Sequence, residues 1–195
     1  MSVMDTLVTD RTAADVALVK QLAAIGYDNM TTAQKNQWAS NLKGAYNNSD
    51  LNRVGEAINY LVAELNDRYY YTWNLCDDLG VGWDEYWTPE HWDPNWHFLS
   101  ITARTDWGAS GIPQADTLTT LLAQVYEVTS MILLLNRLLP TSMAYLTYEG
   151  ANQIETALLS EHIAVAEYSN AMNDMVNNTQ KGYYYSGELY GGEAY

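Results

Sequence analysis

The apolar residues Leu51, Val54, Ile58, Leu61 and Leu65 follow one another at steps of 3, 4, 3 and 4. That spacing puts them on one narrow stripe of an α-helix and is incompatible with the two-residue period of a strand. Tyr69, Trp73 and Cys76 continue the same stripe. A seam of this kind needs other helices to cover it, so it predicts a mainly α chain whose long helices share one core. A second apolar series, at positions 118, 121, 125, 128, 132 and 135, follows Pro113, which suits a first helical turn, and runs to Pro140. Thr147 is placed to cap a third helix, "YEGANQIETALLSEHIAVAEYSNAMNDMVNN", of about 30 residues and so roughly 45 Å long.

Two shorter helices precede the seam. "TAADVALVKQLAAIG" opens with Thr12 and Asp15 in capping positions, carries Val16, Val19, Leu22 and Ala23 on one side, and stops at Gly26. "TTAQKNQWASNLKG" has a capping box in Thr31 and Gln34, sets Trp38 and Leu42 on one face, and is expected to end at Gly44. The long helix is expected to start from Ser49 or Asp50 as N-cap. Between Leu79 and Gly111 the chemistry changes to that of turns and loops, with Trp83, Trp87, Trp92, Trp96 and Trp107, two of the three histidines and two of the four prolines. Within it, "FLSITARTDW" alternates Leu99, Ile101 and Ala103 against Ser100, Thr102 and Arg104, which reads as a short strand. The expected organisation is an N-terminal helical segment over 1–78 and a Trp-rich loop with one short strand over 79–112. A two-helix segment over 113–181 completes an elongated antiparallel bundle, and an extended Tyr-rich arm occupies 182–195.

Charge narrows the range of partners. Acidic residues outnumber basic ones by 24 to 9, giving a formal charge of -15, and no run of basic residues offsets it. Such a chain repels nucleic acid and anionic membrane surfaces. "MSVMDTLVTDRT" has neither a basic n-region nor an apolar h-region, so synthesis in a cytoplasm is expected. The most apolar run, "MILLLNRLL", is interrupted by Asn136 and Arg137 and falls well short of the roughly 20 residues that cross a bilayer. Cys76 is the only cysteine, which excludes a disulfide within the chain.

Few residues offer chemistry. "KGAYNNSDLNRVGEA" supplies no nucleophile with a base and no phosphate-binding loop; its Asn47 to Asp50 stretch has turn and cap residues that would set the angle between helices. "DEYWTPEHWDPNWHF" holds the ligand types His91, Asp93 and His97, with Asp84, Glu85 and Glu90 nearby. Their spacing matches no helix-face pair, and the prolines break the run, so no metal and no cofactor are expected. The same stretch offers Trp83, Trp87, Trp92 and Trp96 for packing against a neighbouring subunit; the alternative is a platform that binds or cleaves carbohydrate. His162 is a lone helical histidine, more consistent with a packed or exposed side chain than with a site. "NDRYYYTW" puts Tyr69, Tyr70 and Tyr71 on three different helix faces, so at least one faces away from the core. The last stretch, "GYYYSGELYGGEAY", sets Tyr183, Tyr184, Tyr185, Tyr190 and Tyr195 among glycines with only Glu188 and Glu193 for charge. Aromatic side chains in such a segment imply a surface to lie against; an arm docking on another chain is the expected arrangement, and folding back onto the chain's own Trp-rich loop is the alternative.

The motifs TDRT-x-x-DV, MT-x-x-x-x-x-x-W, KGAYN and DLNRV-x-x-A occur in order between Thr9 and Ala57, and W-x-x-x-x-IP, LTY-x-x-AN-x-IE and SGE follow later. Together they resemble a helical module of structural proteins from tailed phages and prophages of Gram-positive bacteria, of the tail, baseplate or fibre kind. The resemblance implies a non-enzymatic virion protein, a repeated block or adaptor in the tail, neck or fibre-attachment region. It would be made in the bacterial host cytoplasm and would assemble as a homo-oligomer with other virion structural proteins. The resemblance carries no catalytic residue.

Overall fold

The computed structural model describes residues 2–40, 42–79, 97–109, 113–131 and 139–190; for 71–79, 172 and 175–190 it describes the backbone. Among these residues the chain is mainly α, with helices α1 (Ala13–Ile25), α2 (Thr32–Ala39), α3 (Asn48–Leu79), α4 (Ala115–Thr129) and α5 (Tyr148–Tyr190) and no strand.

The helix starts follow the capping chemistry of the sequence. Thr12 and Asp15 form a reciprocal box at α1, as do Thr31 and Gln34 at α2. At α3 the cap falls earlier than expected. The Asn47 side chain accepts from the Ser49 N–H at 2.8 Å and the Asp50 carboxylate accepts from the Asn47 N–H at 2.8 Å, which moves the first helical residue to Asn48. Pro113 lies just ahead of α4, whose N-cap is Gln114. Gly44 does not end α2, which closes at Ala39 with Ser40 as its cap. A Cβ on Gly44 would fall 2.1 Å from the Asp15 carbonyl oxygen, so glycine there lets the chain pass against the first turn of α1.

The core is the seam. Leu51, Val54, Ile58, Leu61 and Leu65 are buried between Leu121, Val125 and Val128 of α4 and Ile154, Ala157, Leu158 and Val165 of α5. Each fully buried Leu, Ile or Val contributes about 1.5–3 kcal/mol. α3 and α5 run in the same direction: Arg53 meets Glu155, Tyr60 meets His162, and Arg68 and Asn170 line one crevice, a constant offset of 102. α4 shares that direction, since Leu118 lies by Leu51 at its start and Gln124 bonds Thr102 further along. The three long helices are therefore parallel, and the expected antiparallel arrangement is corrected. Antiparallel packing follows from short connections, whereas here the connections return the full distance. One is the extended chain at 97–107. The other descends through 139–147, where the Leu139 carbonyl accepts from the Tyr126 hydroxyl at 3.1 Å and Met143 packs into the core.

The segment 97–107 corrects a second expectation. Its alternation is as the sequence suggests, with Leu99, Ala103 and Trp107 buried and Ser100 and Thr102 exposed. It pairs with no strand. Three asparagines one heptad apart on α3 stand in for a strand edge, each accepting a backbone N–H and donating to the carbonyl of the same residue. Asn66 serves Leu99 (2.8 and 2.9 Å), Asn59 serves Ala103 (2.7 and 3.0 Å) and Asn52 serves Trp107 (2.7 and 3.3 Å). The strap lies so close that a Cβ on Gly55 would fall 2.1 Å from the Arg104 carbonyl oxygen.

The third correction concerns the arm. Residues 182–190 are not extended; they continue α5, which is 43 residues long, about 65 Å at 1.5 Å per residue. Gly182 and Gly187 each disfavour helix by about 1 kcal/mol. Adding residues to an existing helix still gains a hydrogen bond for each one fixed, without a new nucleus. Residues 132–138 of the expected second long helix, and Tyr195, lie outside the described residues.

Candidate functional site

Four charged residues from three distant stretches of the sequence meet at the start of the bundle. Arg11 lies in the extended chain before α1, Asp50 and Arg53 in the first turns of α3, and Glu155 in α5. Glu155 is 0% exposed, Arg11 4% and Asp50 6%. Arg11 Nη2 donates to Asp50 Oδ1 at 2.9 Å and to Glu155 Oε1 at 2.7 Å. Arg53 donates to Glu155 through Nε at 2.9 Å and Nη2 at 2.8 Å, and also to Asp50. The Val8 N–H adds a bond to Glu155 at 2.6 Å, and Arg11 Nη1 donates to the Val8 carbonyl at 2.6 Å. Asn152 holds both backbone groups of Arg11, at 3.0 and 2.9 Å, by the device that α3 uses on the strap.

The quartet is neutral, two guanidinium groups against two carboxylates, which is what its burial requires. Burial alone would lower the Arg53 pKa, but the hydrogen bonds and charges of Glu155 and Asp50 outweigh it and raise it. The Arg11 guanidinium lies over the Tyr46 ring, 5.2 Å from its centroid. Burial, and then the facing Glu155 and Asp50, push the Tyr46 phenol well above its ordinary value. Its hydroxyl is buried without a hydrogen-bond partner among the described residues. Both carboxylates are saturated by internal donors, so neither is poised to take a proton from a substrate or to hold a metal. The arrangement is a clasp that joins the N-terminal chain to α3 and α5.

Beside the clasp, α1, the turn at 43–46 and the start of α5 enclose an open groove of about 510 Å³. Its walls are mostly apolar, from Ala13, Val16, Ala17, Leu146 and Ala151, and Lys20, Lys43 and Glu149 stand on its rim. Lys43 also reaches Asp10 at 2.6 Å, a hydrogen bond that holds the Asp10 carboxyl below its ordinary value. Glu149 is likewise held low by a hydrogen bond from the Tyr148 hydroxyl.

The residues singled out from the sequence fall elsewhere. Tyr183, Tyr184, Tyr185 and Tyr190 lie on the last turns of α5. Trp83, Trp87, Trp92, Trp96 and Tyr195 lie outside the described residues, as do His91 and Asp93. His97 is exposed at the start of the strap. Among the described residues no group of three His, Cys, Asp or Glu side chains could hold a metal ion, and no helix is long and apolar enough to cross a membrane. His162 packs edge-on against Tyr60, ring centres 5.5 Å apart. Tyr70 is the outward-facing tyrosine of its trio with a described side chain, 54% exposed and 5.5 Å from the exposed Phe98 ring.

Sequence reasoning missed the clasp, because charge partners 39 to 144 residues apart leave no local pattern. The asparagine ladder did leave one: Asn52, Asn59 and Asn66 each follow a seam residue by one position. No family model, curated protein or solved structure matches the chain.

Proposed function

We propose that the chain is a non-enzymatic structural protein of a tailed-phage virion, a repeated block or adaptor in the tail, neck or fibre-attachment region. One observation carries this reading. Residues from five of the seven motifs behind the resemblance, scattered through the sequence, meet at one end of the bundle. Arg11 of TDRT, Tyr46 of KGAYN, Asp50 and Arg53 of DLNRV and Asn152 and Glu155 of AN-x-IE build the clasp. Trp107 of W-x-x-x-x-IP is tied to Asn52 of DLNRV beside it. The motif residues therefore build a folding device in which both carboxylates are taken up by internal donors, as suits a geometric role better than a catalytic one. In this reading the parallel helices act as a stiff spacer, and the Trp-rich stretch 80–96 and the end of α5 contact partner chains.

Immunogold labelling and mass spectrometry of tailed particles purified from the producing strain test this directly. The protein should be present in stoichiometric amounts; its absence from purified particles overturns the reading.

A further inference from the structure

We propose that α1 is a hinged lid, which closes over the groove beside the clasp and brings Lys20 against Glu149.

The part of the chain that carries α1 stands outside the main core. Among the described residues, that core draws on Val3, Met4 and Leu7 before the clasp and on Tyr46 and Leu51 after it, and on nothing from 12–45. Leu22 and Met30 are buried but do not belong to it, and α1 packs chiefly against α2 and the turn at 27–29. The chain enters and leaves this part side by side: Arg11 precedes it, Tyr46 follows it, and the guanidinium lies 5.2 Å from the ring centroid. Asn152, Asp50 and Glu155 hold Arg11 to the bundle. Two neighbouring stretches of backbone thus form a joint that is anchored on one side, the arrangement in which a few residues at element ends absorb a rotation.

The groove is the cleft of that joint. Arg11, Gly44 and Tyr46 lie at the joint, α1 forms one wall, and the other is Leu146 and the first turn of α5. α1 is apolar except for Asp15, Lys20 and Gln21, yet only its Leu22 is buried. A helix apolar nearly all round belongs under cover. Ala13, Val16, Ala17 and Lys20 share the α1 stripe that lines the groove, and Leu146, Glu149 and Ala151 line it from across the cleft. The walls therefore match apolar to apolar and cation to anion. Lys43 is already taken by Asp10, whereas Lys20 makes no ion pair among the described residues. Glu149 accepts from the Tyr148 hydroxyl, and a carboxylate has room for a further donor. Closure takes both apolar walls out of water, which supplies most of the gain, and the exposed ion pair sets where the lid lands. Opening and closing then decide whether the apolar surface of the groove is accessible.

A zero-length carbodiimide cross-linker, which joins an amine to a carboxylate only in direct contact, tests this on the wild-type protein. The Lys43–Asp10 pair, in contact at 2.6 Å, is the internal control. Peptide mass spectrometry should find a Lys20–Glu149 link beside the control link, and a 1:1 mixture of ¹⁴N and ¹⁵N protein should show it within single chains. Lys20→Glu/Glu149→Lys exchanges the two groups and should keep the link. Ala17→Gln sets an amide in the closing face at a position exposed in the open form. It should fold as the wild type does by circular dichroism and lower the link about fivefold or more, since closure would leave the amide unpaired, with the control unchanged. The control link without the Lys20–Glu149 link overturns the proposal. So does a link that joins ¹⁴N to ¹⁵N chains, which would mean that another copy covers the groove, or a yield that Ala17→Gln leaves unchanged.

Discussion

Glu155 accepts four hydrogen bonds at zero exposure, from Val8, Arg11 and twice from Arg53. Glu155→Gln keeps the shape and removes one charge, leaving two guanidinium groups facing a single carboxylate. Breaking a buried pair in this way costs about 3–5 kcal/mol, and urea denaturation should show that loss with an unchanged m-value. Replacing Arg11 and Glu155 together by leucine restores neutrality and should cost clearly less than the sum of the single changes, the non-additivity expected of partners in one network. Tyr46 gives a pH dependence of defined sign. Its phenol is raised above the ordinary value of 10.0 by burial and by the clasp carboxylates. The unfolded chain releases this proton first as pH rises, so the contribution is complete below about pH 10 and is lost progressively above it. Tyr46→Phe should flatten the alkaline limb of the stability curve and cost little at neutral pH, because the hydroxyl has no partner to lose. An alkaline limb identical to that of the wild type would contradict the assignment.

Among the elements, the strap depends most on a few bonds. Asn59 satisfies both backbone groups of Ala103, and Asn59→Ala leaves them unpaired against α3 at a cost of about 1–3 kcal/mol for each. Thermal unfolding should register this, and the Ala103 amide should exchange faster than that of Trp107, whose own asparagine is intact. Gly55→Ala acts on the same contact from the other side. Its methyl cannot fit 2.1 Å from a backbone oxygen, so the strap must lift, and overpacking of this kind costs about 1–3 kcal/mol. These elements also show what the sequence made legible. The α3 seam, both N-terminal capping boxes and the alternation of 99–103 follow from local periodicity, and the structure bears them out. Helix direction did not follow, because it depends on where a long connection returns. Nor did the strap's partner: the period-2 pattern says that one side is buried and leaves open whether a strand or a row of asparagines covers the backbone. The end of α5 was misread because glycines and tyrosines look like loop residues, while an established helix extends through them.

At the scale of the whole molecule, the core and the proposed docking segment separate along α5. Ile154, Ala157, Leu158 and Val165 are its members of the apolar core among the described side chains, with Tyr168 packed at their edge. Residues 182–190 begin more than three turns beyond Tyr168. Removing residues 182–195 therefore takes nine residues from a 43-residue helix and leaves every residue of the clasp, the seam and the strap in the chain. The truncated chain should keep a helical circular dichroism spectrum, lowered only in proportion to the lost turns, and melt within a few degrees of the full chain. Assembly should behave differently. A well-buried aromatic anchor at an interface is worth about 2 kcal/mol or more, and truncation removes four described tyrosine positions at once, so affinity should fall by orders of magnitude even if only part of that sum is realised. Comparing melting with sedimentation at matched concentration separates the two effects. A truncated chain that unfolds would show that the last turns of α5 belong to the fold, and one that assembles as the full chain does would remove them from the interface.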